Sequence, residues 1–131
     1  MGSYLNRHVT NWVWSPASAT LEVPVLRVPT GLSLRLLSAY VFDSTAIAAN
    51  TGIYVTCSVI NRGTAGAGTA VMATGVGTAG LSAKTPKALT LSTTASELVA
   101  DAGEQIDALL TVTSTGTGTS LAGCIEYVWS D

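Results

Sequence analysis

Apolar and polar residues alternate with a period of two along most of this chain, and that pattern restricts its fold more than any other feature. Leu32, Leu34 and Leu36 are interleaved with Ser33 and Arg35, and Ile53, Val55, Cys57 and Val59 with Tyr54, Thr56 and Ser58. Further on, Ile106, Ala108, Leu110 and Val112 alternate with Asp107, Leu109, Thr111 and Thr113. Leu121, Gly123, Ile125, Tyr127 and Trp129 alternate with Ala122, Cys124, Glu126 and Val128. Successive side chains of a strand point to opposite faces, so each stretch reads as a strand with one face on a core.

Shorter candidates complete the set: His8 to Trp14, Thr20 to Val28, Thr69 to Thr74 and Ala88 to Ser92, bounded by breakers such as Ser15-Pro16, Pro29-Thr30-Gly31 and Asn61-Arg62-Gly63. Pro24 has no N–H to give a ladder, which marks its strand as an edge or a bulge. The connection Asp43 to Gly52 has room for one helical turn. TTASELVAD is the helical rival, with Thr94 and Glu97 at capping-box spacing and Gly103 beyond, and predicts a turn or two of helix. About eight strands joined by short links predict an all-β, antiparallel two-sheet sandwich or barrel. At 131 residues there is room for one such domain, residues 17–131, with residues 1–16 as an N-terminal arm or first strand.

Charged residues are only 11% of the chain against 47% hydrophobic, so Thr, Ser, Ala and Gly must cover its surface. Six basic and eight acidic residues are spread thinly, leaving no patch able to neutralise several phosphates. Nucleic acid is not expected as a partner. Nor is a membrane, since no apolar run approaches the ~20 residues of a span, and MGSYLNRHVTNW lacks the apolar centre of a signal peptide. Synthesis in a cytoplasm is the expectation, with Cys57 and Cys124 as buried free thiols rather than a disulfide between neighbouring strands.

GVGTAG, Gly75 to Gly80, spells the G-x-G-x-x-G pattern of a dinucleotide loop. A cofactor loop must open a helix whose N-terminus faces the pyrophosphate, but LSAKTPK comes next, with Pro86 six residues on and a new strand at Ala88. No cofactor is expected; the glycines read as links between short strands. Nucleophilic catalysis needs a base beside a Ser, Cys or Thr, and the single histidine, His8, lies in the N-terminal segment. Lys84 and Lys87 read as solvated loop charges around Pro86, with docking to an acidic partner as the functional alternative. Two cysteines and one histidine cannot fill a tetrahedral metal site. Asp101, Glu104 and Asp107 could offer oxygens to a calcium ion, yet without EF-hand spacing they read as a turn before a strand. Glu97 and Asp101 as a hydrolytic pair lack any sign of a cleft. No enzyme activity is expected.

From Leu21 to Asp131 the chain resembles the small β-sandwich decoration, or cement, proteins on the heads of tailed bacteriophages. The features carrying the resemblance are an alternating strand after RVPTG, a Thr/Ala/Gly-rich middle, LVADAGEQIDALLTVTSTGTG, and the closing AGCIEYVWSD. Within them, Ala102, Gly103 and Glu104 form a turn before a late strand, and Thr115 to Ser120 a glycine-rich link to the last. The resemblance implies a jelly-roll-like sandwich, made in the host bacterial cytoplasm and placed on the outer capsid surface of the virion. It also implies a homotrimer or homodimer that bridges major capsid protein subunits and resists genome pressure. On that reading Tyr4, Arg7, His8, Trp12 and Trp14 belong to an arm contacting a neighbour, with the two tryptophans as anchors. The alternative is a receptor- or carbohydrate-binding head of a phage fibre, with Trp12, Trp14 and Trp129 stacking on sugars.

Overall fold

The computed structural model describes residues 7–15, 20–52, 54–113 and 121–130. Its strands are β1 (Arg7–Trp14), β2 (Leu21–Arg27), β3 (Ser33–Phe42), β4 (Tyr54–Gly63) and β5 (Ala70–Val76), followed by β6 (Lys87–Ala88), β7 (Thr90–Leu91), β8 (Val99–Ala100), β9 (Gln105–Thr113) and β10 (Leu121–Ser130). The first sheet runs β1-β10-β3-β6, with β8 also on β3, and the second runs β2-β9-β4-β5-β7. Every pairing is antiparallel. First pairs with last, β2 with β9, β3 with β6 and β4 with β5, which is the strand order of a jelly roll.

Among the described residues there are ten strands where the alternation predicts about eight. The expected strand at Ala88 to Ser92 is split: Ala88 pairs with Tyr40 in the first sheet, while Thr90 and Leu91 pair with Thr74 and Ala73 in the second. Buried Leu89 is the corner between them. The helical rival is a 3-10 turn, Ala95–Leu98, and its capping box does not form. The Glu97 carboxylate instead accepts the Ser92 hydroxyl at 2.5 Å. The Asp43 to Gly52 connection contains no helix, and among the described residues no helix is long and apolar enough to cross a membrane.

The inner faces follow from the alternation, with one parity change. Leu34 and Leu36 are buried, and so are Ala39 and Val41, which a straight strand would turn outward. A bulge opposite Glu126 and Tyr127 skips Leu37 and restores the apolar side to the interior. From the second sheet Val55, Cys57, Val59, Met72, Ile106, Ala108 and Leu110 meet them. Burial pushes the Cys57 thiol up to about 12, so it packs as an inert apolar group. Cys124, half-buried, is also a free thiol.

Gly123 lies on β10 directly opposite Trp12, and a Cβ there would fall within the Trp12 ring. Gly123→Ala is therefore expected to cost about 1–3 kcal/mol by overpacking, measured by urea denaturation, and to cost less when made in a Trp12→Leu background. A wild-type midpoint for Gly123→Ala would contradict this packing.

Candidate interaction surface

The N-terminal segment is where the sequence-based site and the structure part company. Of the two readings of this segment, arm or first strand, residues 7–14 take the second: β1 pairs with β10 continuously, from Arg7 opposite Val128 to Trp14 opposite Leu121. Trp14 is fully buried, and its indole Nε1 donates across the interior to the Ala108 carbonyl on β9 at 3.0 Å. Trp12, 6% exposed, packs edge-on against it with ring centroids 5.5 Å apart. The expectation that Trp12 and Trp14 anchor a neighbour is thus corrected, because both fill this molecule's own core, where large apolar area is worth most.

His8 shares their face but lies at the open end of the sandwich, exposed and stacked on Tyr127 at 5.7 Å, with Trp129 6.1 Å away. Tyr127 is itself held by a 2.9 Å hydrogen bond with the Thr10 hydroxyl. Arg7, on the opposite face, reaches Glu126 at 3.6 Å as a solvent-exposed pair that contributes little. Tyr4 lies outside the described residues.

Because Trp14 reaches the opposite sheet, the odd-numbered residues of β1 face outward, together with their partners on β10 and β3. They form cross-strand rows. Val13, Ala122 and Phe42 make one wholly apolar row; Asn11, Cys124, Tyr40 and Ala88 make the next. Val9, Glu126 and Ser38 come after them, then Arg7, Val128 and Arg35. Val9 is 61% exposed, Val13 55% and Tyr40 38%. The outer face of the first sheet is therefore apolar at one end and charged at the other. A patch of this kind marks a contact surface more often than scattered single residues do. The period-two signal could have found it, since Val9 and Val13 alternate with the tryptophans.

The outer face of the second sheet is different in kind. Arg62 donates two hydrogen bonds to the Glu22 carboxylate, at 2.7 and 2.8 Å, and one to the Gly68 carbonyl at 3.0 Å. The guanidinium holds Glu22 below its ordinary value, aided by a hydrogen bond with Asp107. Asp107 is buried, and its pKa is raised by desolvation and then by the neighbouring Glu22 carboxyl. Gln105, donating to it at 2.8 Å, works in the opposite direction.

The remaining candidates take structural places. Glu104 accepts from the Asp101 backbone at 2.6 Å and from Asn61 at 3.1 Å, closing the turn before β9. Among the described residues no three His, Cys, Asp or Glu side chains converge as metal ligands. GVGTAG ends β5 and enters a 3-10 turn, Gly77–Ala79, rather than a helix. Gly80, at φ 75°, packs so closely on the backbone of residues 47–49 that no Cβ would fit. Leu81 then exchanges two 2.8 Å hydrogen bonds with Ile47. The cleft beside this bridge, about 460 Å³, is walled mainly by small side chains, and its lysine, Lys87, donates to the Gly80 carbonyl at 2.9 Å.

No family model matches the chain, and no curated protein matches it. Among solved structures, it is similar to one of infectious bursal disease virus Gx strain, with 14% identity and a TM-score of 0.42 over 93% of this chain. It is also similar to one of the Gt strain, with 12% identity and a TM-score of 0.31 over 94% of this chain. The chain spans 32% and 30% of the length of those solved chains.

The folded state holds a proton on Asp107 more readily than the unfolded chain does, so the ionised side chain costs stability at neutral pH. Asp107→Asn is expected to raise the urea midpoint at pH 7. That gain should fade as pH drops through the raised Asp107 value and be absent below about pH 3, beneath the ordinary aspartate range. A lower midpoint at pH 7, or a gain independent of pH, would contradict the assignment.

Proposed function

We propose that this protein is a structural component of a bacteriophage virion, one that decorates the capsid and stabilises it by binding the major capsid protein lattice through the outer face of its first sheet. The observation that carries the proposal is the set of rows headed by Val13, Ala122 and Phe42, with Tyr40 beside them and charge only at the far end. Such a face gains by leaving water at a protein surface, and its charged rim fixes orientation. The jelly-roll order is compatible with the role without specifying it, since one fold serves many functions.

On this reading the protein is made in the host cytoplasm and acts on the outer capsid surface as a homo-oligomer. Three strands about ten residues long present a face of roughly 14 by 30 Å, near 400 Å². That is about half of what one partner contributes to a standard interface. A single copy would hold the lattice weakly, and joined copies would hold it well. The fibre-head alternative asks for an exposed aromatic platform. Trp12 and Trp14 are buried and Trp129 is half-buried, so the lattice reading is preferred.

Co-sedimentation with expanded, undecorated heads tests the proposal. Wild-type protein is expected to pellet with the heads, and Tyr40→Asp and Ala88→Asp, made in separate chains because the two positions face each other across strands, each to stay at least tenfold more in the supernatant with an unchanged melting temperature. Wild-type protein that fails to pellet, binds glycans in an array instead, or binds heads as well after the substitutions would overturn it.

A further inference from the structure

A sheet edge is a row of unpaired N–H and C=O groups that another strand can complete, and folded proteins normally blunt it with shortness, proline, a bulge or lysine. Three edge positions of this sandwich are blunted in those ways. On the β3 side of the first sheet lie β6 and β8, two residues each. The second sheet ends on one side in β7, also two residues. On its other side is β2, which carries Pro24 and a register shift between Pro24 and Leu26. The remaining edge, β1, has none of these devices. It is eight residues long, contains neither proline nor lysine, and pairs with β10 without a shift. Among the described residues its only strand neighbour is β10.

We infer that β1 pairs with β1 of a second copy of this chain, antiparallel about a two-fold axis through Asn11, so that two first sheets become one continuous sheet. The pattern of β1 points to a copy of itself. With Asn11 opposite the partner's Asn11, Val9 stands across from the partner's Val13 and Val13 across from the partner's Val9. The two most exposed valines thereby form two β-branched cross-strand pairs, a favourable kind. Moving the register two residues either way leaves each valine opposite a polar residue or past the strand end, and moving it one residue sets outer faces against inner ones. The two Arg7 side chains lie at opposite ends of this ladder, about 27 Å apart at 3.4 Å per residue. That exceeds the Debye length of about 8 Å at physiological salt, so like charges do not oppose the pairing. On the inner side Thr10 faces the partner's Trp12, and no charge is buried.

Sedimentation velocity on the intact chain, without any capsid present, tests the pairing separately from head binding. The wild type is expected to be a dimer that dissociates on dilution. Val9→Lys/Val13→Lys sets lysine against lysine twice and is expected to be monomeric with an unchanged circular dichroism spectrum. Val9→Lys/Val13→Glu sets each lysine against a glutamate of the partner and is expected to return to the dimer, more tightly at low salt. Because Cys124 lies beside Asn11 within one copy, Asn11→Cys is made with Cys124→Ser, and mild oxidation is expected to link two copies through position 11. A wild type that is monomeric up to about 1 mM, the weak end of specific association, overturns the inference. So does a double-lysine variant that still dimerises, or a lysine-glutamate variant that behaves like it.

Discussion

The indole of Trp14 crosses the interior to the Ala108 carbonyl, and the arrangement of both sheets around the N-terminus depends on that contact. A jelly roll closes by pairing its first strand with its last, and a first strand at an edge has only one neighbour to hold it. Here β1 is fastened a second way, by two tryptophans on its inner face, one of them tied by hydrogen bond to the opposite sheet. Burying an aromatic ring of that size is worth several kcal/mol, and the Trp14 N–H finds a partner, whereas the buried Trp12 Nε1 has none among the described residues. Gly123 belongs to the same device, since the space a side chain would take is filled by the Trp12 ring.

Fixing the inner face of β1 fixes its outer face as well. Val9 and Val13 are held toward solvent because Trp12 and Trp14, on the other face of the strand, are held in the core, and the apolar rows continue across β10 and β3. The two sheets thus present unlike surfaces: an apolar one outside the first, and outside the second a network in which Arg62 pairs with Glu22 while the Asp107 carboxyl is held above its ordinary value. Joining two copies along β1 would double the apolar area to roughly 800 Å², the share one partner brings to a standard interface. Edge pairing and face binding then support each other: the backbone groups of β1 serve the first, the Tyr40, Phe42 and Ala88 region serves the second, and Val9 and Val13 border both.

Much of the fold was legible in the alternation. The strand Leu121 to Ser130 has the expected limits, and Pro24 sits on an edge strand at a register shift, as its missing N–H requires. The two-residue strands β6, β7 and β8 were not legible, because a period cannot be read from two residues. At Leu89 the chain changes sheets within a segment that reads as one strand. The strand from His8 to Trp14 was legible too, but the direction of its tryptophans was misread for a definite reason. Both faces of β1 are apolar, valines on one and tryptophans on the other, so alternation alone does not say which is inside. The deciding signal was on another strand, in the glycine at position 123 that leaves room for a ring. GVGTAG was legible from its C-terminal flank, since the short reach to Pro86 leaves no space for a crossover helix, and the close approach of Gly80 to the Ile47 backbone accounts for one of its glycines.

The claim on which the functional account rests is that the outer face of the first sheet is turned toward a capsid. An image of the native particle by electron cryomicroscopy, at a resolution that separates the two sheets, tests it most directly. The account predicts density for this sandwich on the outer surface of the shell, with β1, β10 and β3 facing the capsid protein and the Glu22 and Arg62 side facing solvent. Density at a fibre tip, or on the shell with the second sheet facing inward, would contradict it.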